Sequence, residues 1–448
     1  MRERCTVVKL NLQFHEESAI FAVDVMKAKG KTIIATAGGD KAIRLWEYTY
    51  TGEEPKECFE YKTVLTEGCS IIHIYTLNKH RGSVNSLQFS KDGKYLLSGG
   101  DTGAVYAWDM QSILESTPEE EDKKYTGQPI QVRGADSTDI YEVKWFQEKI
   151  LVGVSSGRIE QYKLFNNPRN ENTSKSTAES ENTENLSVNT AGALEITGST
   201  EVLKCDTLHM PEISQSTSED HEIIPSSNNL AVQSSPKKAS QTKGNSSLDK
   251  PHKSVKFRVL EEYVQDVFAK CISSKQAHKD IVQGIACTDE IFASVGNDRV
   301  LKVFNDSGKA IQKLCKKSLI TDKHTFFFRR LSFSEDGLLY LPSATYEGIN
   351  AVHILSPPEY KVIKTITPFP SPTICTVCTS EYLIVSEGRN VYIFTTKEYS
   401  LVFRIVDCSF LPITDIKPIQ DDQDILSLII SSCDGFLTNV LLYKRLEA

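Results

Sequence analysis

Three groupings of side chains have the residue types and spacing to do chemistry. His278, Ser294 and Asp298, with Phe304 close behind, supply an imidazole, a hydroxyl and a carboxylate, the set that nucleophilic acyl transfer uses. The same set also satisfies itself as a buried hydrogen-bond chain between strands, where each unpaired polar group would cost ~1–3 kcal/mol. Cys375 and Cys378 in "TICTVCTS" have the spacing of half a zinc knuckle, but no second CxxC or His pair follows to complete four ligands, so they read as buried strand cysteines. In "FFFRRLSFSEDG" (326–337), Phe326, Phe327, Phe328, Arg329 and Arg330 gather aromatics and guanidinium groups at the lip of a strand. That composition marks interface hot spots and equally marks wedges between packed sheets.

Which reading holds depends on the elements that carry these residues. A pattern recurs in "IIATAGGDKAIRLWEY" (33–48), "YLLSGGDTGAVYAWDM" (95–110), "ILVGVSSGRIEQYKL" (150–164) and "IFASVGNDRVLKVFND" (291–306). Each is an apolar strand, a small-residue segment, a polar turn and an alternating strand ending in an aromatic. Weaker copies at 338–355, 382–396 and 426–444 bring the number to seven. A further strand precedes several copies, as in "SVNSLQFSKDGK" (83–94) and "RRLSFSEDGL" (329–338). The pattern resembles WD40 repeats, and seven of them imply an all-β, seven-bladed β-propeller. The opening "TVVKLNLQF" (6–14) alternates like a strand and is expected to pair with the last repeat, closing the ring through both chain ends. Within WD40 blades, a His, a Ser, a turn Asp and an aromatic form a structural hydrogen-bond chain. His278, Ser294, Asp298 and Phe304 fit it; so do His80, Ser98 and Trp108, with Thr102 at the Asp position, and Asp40 and Trp46 in part.

The 448 residues are 40% hydrophobic and 25% charged, a globular composition, and the net charge of −8 argues against a primary grip on nucleic-acid phosphates. No apolar leader opens the sequence and no apolar run approaches the ~18 residues of a membrane helix. Eleven cysteines without framework spacing read as reduced thiols. Between 166 and 254 the periodicity stops: the segment is rich in Ser, Thr, Asn and Glu and contains no Trp, Tyr or Phe, so disorder is expected there. The organisation is therefore blades one to three over 1–165, the insertion over 166–254, and blades four to seven over 255–448, with "VKFRVLEEY" (255–263) a candidate fourth strand of blade three. "SPKK" (235–238) is a candidate phosphorylation or nuclear-import element, and "PEEEDKK" (118–124) a solvated acidic loop.

The block "FFFRRLSFSEDGLLYLPSA" strongly resembles the fifth-blade segment of the middle WD40 subunit of chromatin assembly factor 1; "VQGIACTDEIFASVGNDRVLKVF" (282–304), "SEGRNVYIF" (386–394) and "SSCDGFLTNVLLYK" (431–444) agree with it in order. The resemblance implies a non-catalytic scaffold without cofactor in a nuclear histone chaperone that deposits histones three and four onto newly replicated DNA. Its partners would be the large subunit, the small WD40 histone-binding subunit and, directly or through the large subunit, the histones. Blade three departs from the pattern, with Tyr162-Lys163 where the family has Trp-Asp, and the insertion is a second departure. The chain ends at Ala448 without the Arg-rich tail motifs of the animal members, which puts docking of the anti-silencing histone chaperone in doubt. Two other scaffolds compete: a replication-independent histone-deposition corepressor, expected to continue into a large C-terminal domain, and a ubiquitin-ligase substrate receptor, expected to carry an adaptor segment. A propeller enzyme would need convergent ionisable groups in the central channel.

Overall fold

A repeat with apolar residues on both faces of its strands cannot fold alone, and here each repeat forms an antiparallel sheet that stacks on the next. The computed structural model describes residues 4–10, 15–28, 30–50, 63–66, 69–116, 123–167, 267–314, 328–420 and 425–443. All belong to the unit made of Met1–Lys175 and Val264–Ala448. The 255–263 segment, "SPKK", most of the acidic loop, Phe326 and Phe327 lie outside the described residues.

Seven sheets form a closed ring, so the protein is a seven-bladed β-propeller. The innermost strands are Ile20–Ala28, Val84–Phe89, Ile140–Phe146, Val282–Cys287, Ser332–Phe333, Thr373–Cys378 and Ile413–Gln420. Blade seven is completed by the N-terminal strand Arg4–Leu10, which pairs antiparallel with Leu437–Tyr443 from Arg4 opposite Tyr443 to Leu10 opposite Leu437. That pairing removes the open edge that an incomplete ring would present. Blade one carries two extra strands, Thr63–Thr66 and Lys124–Tyr125, on its outer strand Cys69–Asn78.

The fourth strand of blade three is Val267–Gln276, not the 255–263 segment proposed from the sequence. Its register places Val267 directly opposite Asn166, so the two described ends that flank the inserted segment are neighbours in one hairpin. The 255–263 stretch has the stronger hydrophobic signal; the actual strand is largely exposed, as befits an outer strand, and so lacks strong alternation.

Apolar side chains collect between the blades. Among the described residues there are seven clusters, each shared by two neighbouring blades. The glycines of the repeat follow from the tightness of these turns. A Cβ on Gly38 would lie 1.8 Å from the Ala19 carbonyl oxygen, and one on Gly100 1.9 Å from that of Ser83. In the second repeat, Trp108 and Asp109 divide their work: the indole is buried, and the carboxylate caps the short helix Met110–Glu115 by accepting from Ser112 N at 3.1 Å.

One irregularity recurs. The innermost strand shifts register near its start in blades one, two, three, four, six and seven, for example between Ile20 and Ala22, Val84 and Ser86, and Ile140 and Glu142. Such bulges leave residues such as Phe21 and Asn85 out of the ladder and free their backbone groups to point elsewhere.

Candidate functional site

Those freed groups converge on Arg330. From blade five its guanidinium crosses the centre of the ring. Nη2 donates to the carbonyls of Phe21 (3.0 Å) and Asn85 (2.9 Å), the bulged residues of blades one and two. Nη1 donates to Glu142 Oε2 of blade three at 2.8 Å, and Nε lies 3.9 Å from Asp415 Oδ2 of blade seven. Its backbone bridges to blade six, with its N–H on Ile374 O and its carbonyl accepting from Thr376 N, both at 2.9 Å. One residue thus touches five blades beyond its own. Phe328 supports it from one side, its ring 4.6 Å below the guanidinium and 5.8 Å from Phe21.

The carboxylates and amines of the channel pair with one another. Ser86 Oγ donates to Glu142 at 2.8 Å and Lys144 Nζ lies 3.0 Å from the same carboxylate. Lys417 Nζ lies 3.4 Å from Asp24 and 3.9 Å from Asp415. Burial pushes the Glu142 carboxyl up, but Arg330 and then Lys144 outweigh it and hold it below the usual range. Burial likewise pulls the Lys417 ammonium down, and Asp415 and Asp24 reverse the sign. Three acids and three bases therefore face each other here, already charged and already paired.

The structure corrects the exposed-lip placement of the Phe-Arg block. Phe328, Arg329 and Arg330 are buried, at 6%, 3% and 6% exposure, because the inner strand of blade five begins at the channel wall and draws them inward. Phe328 takes the wedge position. Arg329 differs from its neighbour: its Nε and Nη1 have no hydrogen-bond partner, and burial pulls its guanidinium down to about 10.

The blade chains are formed in three repeats. In blade four, His278 Nδ1 lies 3.0 Å from Asp298, so that nitrogen donates to the carboxylate and Nε2 accepts from Ser294 Oγ at 2.7 Å. Phe304 stacks on Phe292 with ring centres 4.7 Å apart. In blade two, His80 Nε2 and Ser98 Oγ are 2.7 Å apart and Trp108 Nε1 donates to Ser98 at 2.9 Å. With Thr102 in place of an acid, His80 Nδ1 is left without a partner, and burial pushes the imidazole down to about 3. Blade one holds more than its sequence announces. His15 lies 2.7 Å from Asp40 and 2.9 Å from Thr36, Trp46 donates to Thr36 at 2.9 Å, and Arg44 joins the same carboxylate. His15 stands far upstream and Thr36 is not a serine, so neither carried the motif. In all three blades the hydroxyl is fully buried, which leaves a substrate no approach to it.

Cys375 and Cys378 sit three apart on one strand and so point to opposite sheet faces, as strand alternation requires. Burial pushes the Cys375 thiol up to about 12, and the Cys287 thiol likewise. Among the described residues no three His, Cys, Asp or Glu side chains are grouped to hold a metal. A cavity of about 910 Å³ opens where the inner strands of blades two to five end, lined by Gln88, Lys144, Trp145, Cys287 and Phe333 among others. The channel acids and lysines left a trace in the sequence: inner strands that carry an acid and a lysine two apart, Glu142 with Lys144 and Asp415 with Lys417.

Among known proteins, the family described as "WD domain, G-beta repeat" matches residues 72–109. That span runs from the outer strand of blade one through three strands of blade two, ending on Trp108-Asp109. Protein HIRA of Dictyostelium discoideum is 32% identical over 146 residues, covering 32% of this chain and 12% of that protein. The middle subunit of chromatin assembly factor 1 from Gallus gallus is 24% identical over 148 residues (31% of this chain, 24% of that protein), and its Saccharomyces cerevisiae counterpart is 25% identical over 165 residues (36% and 33%). The chain spans between 12% and 33% of the length of these relatives. In fold, the WD40 β-propeller domain of Doa1 superposes with a TM-score of 0.52 over 98% of this chain and 96% of that one, at 12% identity. The chain is a WD40 propeller with partial similarity to the middle subunit of chromatin assembly factor 1 and to HIRA.

Proposed function

We propose that this chain is a non-catalytic scaffold of a nuclear histone chaperone of the chromatin assembly factor 1 kind. It joins the large subunit and the small WD40 histone-binding subunit, and helps present histones three and four to newly replicated DNA. The observation that carries the reading is the partial similarity to the middle subunit of that factor. Two physical features support a binding rather than a chemical role: the ionisable groups of the channel are spent on each other, and the His-Ser chains are buried beyond reach of a substrate. The net charge of −8 suits basic protein partners, whose encounter opposite charge accelerates.

A second reading has its own support. The similarity to protein HIRA points to a histone-deposition scaffold of that kind instead. Affinity purification from dividing cells with mass spectrometry separates the two. Recovery of a large chaperone subunit, a second WD40 protein and histones in S phase is the expected result. Recovery of a different histone-deposition assembly throughout the cell cycle selects the second reading, and absence of histones and chaperones defeats both.

A further inference from the structure

The loop that joins blade six to blade seven spends apolar surface on solvent. Val406, Phe410 and Leu411 are 56%, 61% and 49% exposed, and Phe410 is the most exposed of the large hydrophobic side chains among the described residues. Such exposure in a slack loop would mean little, but this loop is tied down at every step. Cys408 N donates to Arg389 O at 3.0 Å, and Cys408 O accepts from Thr438 Oγ1 at 2.7 Å. Ser409 Oγ donates to Leu411 O at 2.6 Å, and Asp434 accepts from Phe410 N and Leu411 N at 2.7 and 3.3 Å. Phe410 packs edge-on against Phe436 with ring centres 6.1 Å apart, over a small hollow floored by Leu10 and Thr438. A loop whose backbone is satisfied while its apolar side chains stay wet has already met the ordering cost of binding.

The surroundings are acidic. Asp434 has no cationic partner among the described residues. The turn it belongs to abuts Glu17 and Ser18, since a Cβ on Gly435 would lie 2.8 Å from the Ser18 carbonyl oxygen. Glu16, next along that turn, has a side chain 81% exposed. Arg389, the cation that touches the loop, is paired with Asp407 at 2.7 Å.

We infer that Val406, Phe410 and Leu411 form a docking patch for a partner-protein segment that inserts one apolar side chain and flanks it with Lys or Arg. The inference rests on the scaffold reading only in requiring that the partner be a protein. The test uses the full chain with synthetic peptides bearing a single Leu, Ile or Phe anchor flanked by Lys and Arg, and a matched set flanked by Glu. Binding to the basic set is expected, weakening as salt rises. The double variant F410S/L411S should lose roughly thirtyfold or more in affinity, with its melting profile unchanged. E16K/E17K, which leaves the apolar surface intact, should lose roughly threefold to tenfold and its salt dependence. Equal binding of both peptide sets, or full affinity in F410S/L411S, overturns the proposal. So does a wild-type dimer in sedimentation that F410S/L411S converts to monomer, since a second copy would then be the occupant. If chaperone partners co-purify equally with wild type and F410S/L411S and no peptide binds, the patch fails while the scaffold reading stands. If wild type recovers no chaperone yet binds the basic peptides, the reverse holds.

Discussion

Arg329 and Arg330 are adjacent in the chain and opposite in circumstance. Arg330 is held by two carbonyls and a carboxylate across the ring, whereas two nitrogens of Arg329 hold nothing. Replacing Arg330 by Met strands the Glu142 carboxylate in a buried site and is expected to cost about 3–5 kcal/mol. Replacing Arg329 by Met removes a buried cation without orphaning an anion and should be neutral or stabilising. Chemical denaturation of the two variants distinguishes them, and equal losses would refute the contrast. His80 gives a pH prediction. Its folded value of about 3 lies below the ordinary imidazole value of about 6.5, so as pH falls through that window the unfolded chain takes up a proton that the folded chain refuses. Stability is then complete above about pH 6.5 and declines toward about 3, by at most about 1.4 kcal/mol per pH unit from this residue. Thermal melts across that range should slope less for H80Q than for wild type. The residue scale was the least legible in the sequence. The Phe-Arg block announced itself by composition, but composition is the same for a buried hub and an exposed hot spot; only the register of the short strand in blade five decides between them.

At the scale of elements, the alternation of apolar residues and the small-residue segments were enough to find the blades, because those features follow from burial on both sheet faces. The outer strand of blade three was missed, since exposure erases the alternation that marks a strand. Its true position makes a firm prediction about the inserted segment. Asn166 and Val267 are directly opposed, so the hairpin needs no more than a tight turn to connect them. Excising residues 168–265 and joining the ends with an Asn-Gly turn should leave the propeller folded. The melting temperature should stay level or rise, since closing a much shorter loop saves up to about 2–3 kcal/mol of chain entropy. A collapse of cooperative melting would show that the segment is structural. The bulges at the start of the inner strands left no sequence mark; they are imposed by the meeting of strands at the axis, which no single repeat encodes.

For the whole molecule, seven sheets are cross-braced at the axis by one arginine and latched at the rim by one strand. Removing residues 1–10 exposes the full length of Leu437–Tyr443 as an unpaired edge, and the shortened chain should aggregate or melt far below wild type. Light scattering during a thermal ramp reads this directly; an unchanged, monomeric melt would mean that the latch is dispensable. The count of repeats made the closed ring foreseeable from sequence. The brace was not, because it depends on residues from blades one, two, three, five and seven meeting at a point far from any of them in the chain.

The latch also sets a timetable for biosynthesis. Arg4–Leu10 leaves the ribosome first and its mate Leu437–Tyr443 last. At about 5–20 residues per second, translation keeps the first strand waiting on the order of half a minute or more. Throughout that interval the nascent polypeptide carries a bare edge and an axis that Arg330 has not yet spanned, which makes it a natural client for chaperones that shield β-edges.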